Sequence, residues 1–354
     1  MTAFVSEPGG SKPALPPSEG STRVRRRFPG ISSRAYEHPA DRAALVTLRA
    51  VPGFDVVLRK LLGFLGDRSL RLIYLGSAVR VGPHQFKRVH EIYDECVKIL
   101  DMPYTPELYV AQTPFVNAGA VGIDRPFIVL NSASLSLFDE DELRVILGHE
   151  LGHILSGHVL YKTMLHTLLR LSLVVSGLPV ATWTLMAIIA ALKEWDRKSE
   201  LSCDRAGLIV SQDLEASFRV QMKMAGGGSI SEMNIKAFTE QALDYEAGGD
   251  IIDSMLKLLS IVDRSHPFPV LRLVELKRWS DSGGYHRVMQ GDYALRSEDA
   301  ATSITDEVLA SARSYKERVE DSMDPLTSFV RGVGSSVTSK GRDLWGRFRN
   351  DKEG

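Results

Sequence analysis

Apolar positions along this chain change their spacing several times, and each change predicts a different element. Between Ala43 and about Leu100 they return every three or four residues. Phe86, Val89, Tyr93, Cys96, Val97 and Leu100 make one stripe, which predicts helix with a single buried face. Cys96 on that stripe reads as a small core residue. From 107 to 131 the runs shorten to Leu108-Tyr109-Val110, Phe115-Val116 and Phe127-Ile128-Val129-Leu130, punctuated by Thr113-Pro114 and by Gly122 to Pro126. These β-rich pieces predict a small antiparallel sheet. Helical spacing resumes after Asp139, which with Glu142 three residues on has the form of a capping box. The helix it starts runs through Ile146 to His158, I-L-G-H-E-L-G-H-I-L-S-G-H.

Residues 171–192 carry no charge, a length compatible with a membrane span. Ser176-Gly177-Leu178-Pro179 interrupts it, and Lys162, His166 and Arg170 put a polar stripe on the first arm. The expectation is a helical hairpin over about 159–195, packed on protein or lying at a membrane surface rather than crossing it. Residues 1–40, rich in Pro, Gly and Ser with a basic cluster at Arg23 to Arg27, read as a disordered tail. Residues 41–282 then form the folded unit. Residues 283–354 are polar and end in an amphipathic basic helix: Leu326, Val330, Val333, Val337, Leu344 and Phe348 share a face among Arg331, Lys340, Arg342, Arg347 and Arg349. Such a helix suits an anionic membrane surface or a partner groove.

Charge and cysteine content narrow the partners. A net charge of −1 gives no global attraction to nucleic acid, so none is expected as a partner. The two cysteines offer no disulfide framework. With no apolar run before Arg23, the expectation is a cytoplasmic protein, membrane-associated through its hairpin or terminal helix. Oligomeric state is not legible.

The chemistry lies in H-E-L-G-H. His149 and His153 stand four residues apart, about one helical turn, so both imidazoles leave one face and can grip one Zn²⁺ at roughly 2.0–2.1 Å. Glu150 is placed to take a proton from a metal-bound water. Burying these groups among Leu143, Val145, Ile146, Leu147, Leu151 and Ile154 is costly unless something satisfies them. A zinc protease needs a third protein ligand. Glu200 in K-S-E-L-S-C-D-R-A is the candidate, with Asp204 one turn later to accept the second N–H of a ligand histidine. Cys203 remains a rival ligand. His158, about half a turn off the metal face, reads as structural.

Together these motifs resemble the zinc metallopeptidase family that includes HtpX, the CAAX prenyl protease and the mitochondrial Oma-type protease. Besides H-E-L-G-H and E-L-S-C-D, the chain has P-x-V-N-A-G-A-V-G at 114–122, P-F-I-V-L-N-S at 126–132 and S-H-P-x-x-x-x-R from Ser265 to Arg272. The likeness covers roughly 70–280. It departs between the metal motifs, where membrane members carry two clear spanning helices and this chain has a shorter, partly charged segment. The resemblance implies an α+β, mainly helical fold with a zincin-like core and a small antiparallel sheet beside the H-E-x-x-H helix. It implies one zinc ion per chain on His149, His153 and Glu200, with Glu150 as proton acceptor. His266 would stabilise the oxyanion or block the open metal position, and Arg272 would pair with Asp204 or Glu200. Asn117 and Ala118, or the strand from Phe127, would offer an edge to an extended polypeptide substrate. The implied function is zinc-dependent endoproteolysis of misfolded or membrane-associated proteins. Its rivals are a catalytically silent zinc-binding scaffold or chaperone, and a membrane-surface adaptor built on the terminal helix.

Overall fold

The computed structural model describes residues 24–49, 51, 53–54, 57–58, 67–172, 179–247 and 268–299. They are mainly helical with one four-stranded sheet, the α+β class expected. In chain order the elements are α1 (Pro39–Arg49), α2 (Asp67–Ser77), β1 (Ala78–Arg80), α3 (Lys87–Ile99), β2 (Leu108–Ala111), β3 (Ala118–Val121), β4 (Phe127–Asn131), α4 (Ser132–Leu137), α5 (Glu140–Leu155), α6 (His158–Ser172), α7 (Pro179–Ser211), α8 (Leu214–Gly226), α9 (Ile235–Ala247), α10 (Pro269–Asp281) and α11 (Gly284–Gln290).

The apolar stripe of α3 is buried from Val89 to Leu100, with Cys96 fully enclosed. Phe86 leaves the stripe: it precedes the first turn at φ 52° and stays exposed. The sheet runs β1-β2-β4-β3. Its outer pairs are antiparallel, but β2 and β4 are parallel, so the sheet is mixed rather than antiparallel throughout. The reason is local: β3 folds back on β4 as a hairpin arm, which leaves β4 to enter beside β2 in the same direction. Phe115-Val116, expected in a strand, lies in the loop before β3.

The capping box at Asp139 forms in both directions, each bond 2.9 Å. The helix it opens, α5, is buried almost all round, because α3, α7, α8 and β3 each pack on it. Two of its glycines make the approach of α7 very close. A Cβ added at Gly148 would lie 2.6 Å from Val210 Cβ, and one at Gly152 would lie 2.6 Å from Ala206 Cβ. Glycine at 207 plays the reciprocal part, where an added Cβ would meet Val145 O at 2.7 Å. These contacts set the register of α7 against the histidine helix.

The hairpin and the segment bearing Glu200 are one piece: α7 continues unbroken from Pro179 to Ser211. Met164, Leu165 and Leu168 of α6 join Ile188, Leu192 and Trp195 of α7 in a cluster with Leu48 and Phe54. Among the described residues no helix is long and apolar enough to cross a membrane.

The boundary of the expected N-terminal tail moves. Phe28, Ile31 and Tyr36 are essentially fully buried, Ile31 bridges Leu295, and the Phe28 ring meets Tyr293 edge-on at 5.7 Å. Arg25 pairs with Glu95 and Asp141. Three well-spaced apolar residues anchor a segment whose average composition reads as unfolded, and 284–299 packs with it. Residues 1–23, and 300–354 with the expected amphipathic basic helix, lie outside the described residues.

Candidate metal centre and catalytic site

His149 and His153 project from one face of α5 with their Nε2 atoms 3.1 Å apart. The Glu200 carboxylate of α7 spans both, Oε2 at 3.3 Å from His149 Nε2 and Oε1 at 3.2 Å from His153 Nε2. All three side chains are buried. Two ring nitrogens and a carboxylate turned on one another gain nothing unless a proton or a cation lies between them.

The surroundings specify which. His149 Nδ1 sits 3.2 Å from Asp204 Oδ1, so the ring's proton belongs on Nδ1 and Nε2 offers a lone pair. Asp204 is fixed in turn by Arg272, Nε to Oδ2 at 2.7 Å and the second terminal nitrogen to Oδ1 at 2.5 Å, and by Gln221 Nε2 at 3.2 Å. Arg272 also reaches Glu200 Oε2 at 3.4 Å, so the two pairings implied for it coexist. On the other side, Lys162 Nζ lies 2.6 Å from Glu200 Oε1 and 2.8 Å from Asp196 Oδ1. Glu200, Asp196 and Asp204 thus share Lys162 and Arg272, and buried Glu150 lies beside them, so carboxylates outnumber these two cations around the histidines. A divalent cation on the three converging donors would offset that charge, and the donor set suits zinc.

Burial alone would lower the His149 pKa, but the Glu200 and Asp204 carboxylates outweigh it and raise it to about 9. Burial and the Lys162 ammonium hold His153 well below its ordinary value. Asp204 is held below the ordinary carboxylate range despite its burial, because Arg272 grips it.

Glu150 also faces the cleft. Its Oε2 accepts the Ala120 amide of β3 at 2.8 Å, which orients the carboxylate beside the histidines. Asn117 and Ala118 line the same cleft with Glu150, His149, Glu200 and Arg272. Asn117 Oδ1 accepts the Ala118 amide at 2.9 Å. Phe127 does not belong to the cleft. It is buried between Tyr109 and Tyr74 on the other side of a strand already paired on both edges, so it has no exposed edge to offer. The edge strand on the cleft side is β3. Both polar groups of Gly122 engage Thr163 Oγ1, at 3.3 and 3.1 Å, so that edge closes beyond Ala120.

Cys203, the rival of Glu200, points behind the histidines with Sγ 3.6 Å from His158 Nδ1. His158, read as structural, is brought against His153, Nδ1 to Nδ1 at 3.2 Å, with its Nε2 3.1 Å from Asp41 Oδ2. His266 lies outside the described residues. Sequence reasoning missed Lys162 by assigning it to a polar hairpin stripe. The signal lies in its anion partners: Asp196 and Glu200, four residues apart on α7, both turn to Lys162, a pairing that spacing along α6 does not reveal.

Residues 83–280 match the family model described as Peptidase family M48. The plastoglobule-localized metallopeptidase 48, chloroplastic, of Arabidopsis thaliana is 33% identical over 270 residues, 74% of this chain and 77% of that protein. A protease HtpX homolog of Helicobacter pylori is 35% identical over 69 residues, 19% of this chain and 22% of the relative. One from Thermoplasma volcanium is 30% identical over 95 residues, 26% of this chain and 29% of the relative. No solved structure matches the chain. A family match over more than half the sequence and a relative aligned over most of both lengths agree with the clustered histidines and glutamate: the chain belongs to peptidase family M48.

Proposed function

We propose that this chain is a zinc-dependent endopeptidase whose metal is held by His149, His153 and Glu200. The observation that carries the reading is the convergence of these three donors in a buried, carboxylate-rich cluster with Glu150 beside them. Zinc, which serves this family, supplies Lewis acidity toward the scissile carbonyl and the attacking water. The protein's own groups do the rest. Glu150, oriented by the Ala120 amide, takes a proton from the attacking water and passes it to the leaving amine. Asp204 and Arg272 hold His149 in the tautomer that presents Nε2, and Lys162 with Asp196 fixes the Glu200 carboxylate. An extended substrate meets β3 at Ala118, taking the place of Asn117 Oδ1 on that amide, and stops where Glu150 and Thr163 occupy the amides of Ala120 and Gly122.

The substrates are misfolded or membrane-associated polypeptides. Phe115, 75% exposed in the loop leading to the cleft, gives an apolar landing point for such chains. The relative named for plastoglobules supports the membrane-associated half of that reading. The test is cleavage of unfolded casein by the full-length, zinc-loaded protein and by Glu150→Gln. Loss of the proton acceptor should reduce turnover by about 10²–10⁴-fold with metal content unchanged. Equal cleavage by the two proteins removes the mechanism.

A further inference from the structure

We propose that Asp41, acting through His158, is a positioning residue that fixes His153 as a metal ligand, so that a helix outside the family-matched segment completes the metal centre. The inference rests on the reading that His149, His153 and Glu200 hold zinc. Asp41 belongs to α1, whereas the family match begins at residue 83. It is 1% exposed, in the interior behind the histidine helix.

Donor and acceptor logic orders the chain of contacts. The Asp41 carboxylate can only accept, so the proton of neutral His158 sits on Nε2, 3.1 Å from Asp41 Oδ2. His158 Nδ1 then carries a lone pair and faces His153 Nδ1 at 3.2 Å. It therefore holds the His153 proton on Nδ1, and His153 Nε2 is left to present its lone pair beside His149 Nε2 and Glu200 Oε1. Cys203 Sγ, 3.6 Å from the same His158 nitrogen, is a weaker donor and leaves that order unchanged. The Trp195 ring meets His158 edge-on at 5.4 Å, holding the imidazole plane.

The two ligand histidines are therefore oriented by different means. Asp204, from the metal-binding segment itself, meets His149 directly at 3.2 Å. Among the described residues no carboxylate meets His153 Nδ1, and that nitrogen depends on a relay whose far end is Asp41. That end is tied down: Ser202 Oγ donates to Asp41 Oδ2 at 2.6 Å and accepts the His38 amide at 2.9 Å. The Tyr36 hydroxyl donates to Gly152 O at 3.3 Å, fastening the same segment to the histidine helix. Losing such an outer partner typically weakens metal binding 10–100-fold.

The test compares zinc affinity, by competition with a chromophoric chelator, and the visible spectrum of the cobalt(II)-substituted protein, using the full chain throughout. Asp41→Asn and His158→Phe should each bind zinc about 10–100-fold more weakly and shift the cobalt bands. The double variant should be no weaker than His158→Phe alone, since Asp41 acts only through His158. Ser202→Ala, which keeps the Asp41 charge, should show a smaller loss and serves if His158→Phe does not fold. Wild-type affinity and an unchanged cobalt spectrum in Asp41→Asn overturn the proposal. So do two zinc ions per wild-type chain, which would make His153, His158 and Cys203 a second metal site instead. Absence of stoichiometric zinc in the wild type, or full affinity in His149→Ala, overturns the underlying zinc reading rather than the relay alone.

Discussion

Replacing Gly152 by alanine should open the seam that brings Glu200 to the histidines. The added Cβ would lie 2.6 Å from Ala206 Cβ, with the Cys203 Cα and Sγ at 3.6 Å. Carbon atoms pack at about 3.5–4.0 Å, so the two helices must separate by roughly 1 Å. Neither colliding atom is the end of a flexible side chain, and relief has to come from the backbones. Overpacking of this kind costs about 1–3 kcal/mol. For a domain of this size each kcal/mol lowers the melting temperature by about 2–4 °C. Ala206 lies six residues beyond Glu200 on the same rigid helix, so the carboxylate shifts with it. Metal–ligand distances tolerate only about ±0.2 Å, and zinc affinity should fall at least about tenfold. Thermal unfolding with and without zinc, together with chelator competition, reads both effects. Gly82→Ala, where an added Cβ meets nothing within 4 Å, is the control. A Gly152→Ala protein with wild-type melting temperature and zinc affinity would refute the argument that glycine contact sets the register of the site.

Two further outcomes follow from buried and half-buried charges. Lys162→Met leaves Asp196 and Glu200 without their shared cation and should destabilise the protein by about 3–5 kcal/mol. A double-mutant cycle with Asp196→Asn should give a coupling of at least about 1 kcal/mol, read by denaturant unfolding, and additive losses would contradict the pairing. Glu275 is held down to about 2 from its ordinary 4.5, because its bonds to His38 and Arg278 outweigh the opposing effect of burial. A depressed carboxylate stabilises the fold fully above pH 4.5, and that stability is lost as pH falls toward 2. With its side chain 30% exposed, the gain after screening is about 1–2 kcal/mol. Glu275→Gln should therefore melt earlier than wild type at pH 7 and match it near pH 2. A gap that persists in acid would count against the pairing.

Much of the site was written locally. The i, i+4 histidines, the glutamate between them and the capping box that starts their helix are all decided by spacing within a turn or two. Glu200 was legible as a candidate because a zinc site needs a third ligand and Asp204 follows it on the same face. What escaped depends on contacts between distant segments. Asp41 meets His158 across more than a hundred residues, and nothing in the α1 sequence distinguishes that aspartate from a surface one. Phe28, Ile31 and Tyr36 were hidden because apolar anchors too sparse to form a period are diluted by a Pro- and Gly-rich composition. The parallel pairing of β2 with β4 is a matter of strand order, which alternation along single strands does not encode. Continuity of α7 was obscured by its change from apolar to charged composition, a change of environment rather than of backbone.

Anomalous scattering at the zinc edge from crystals of the zinc-loaded full chain tests the central claim most directly. One peak is expected, about 2.0–2.2 Å from His149 Nε2, His153 Nε2 and a Glu200 oxygen. A peak seated instead among His153 Nδ1, His158 and Cys203, or no peak at the three converging donors, would contradict it.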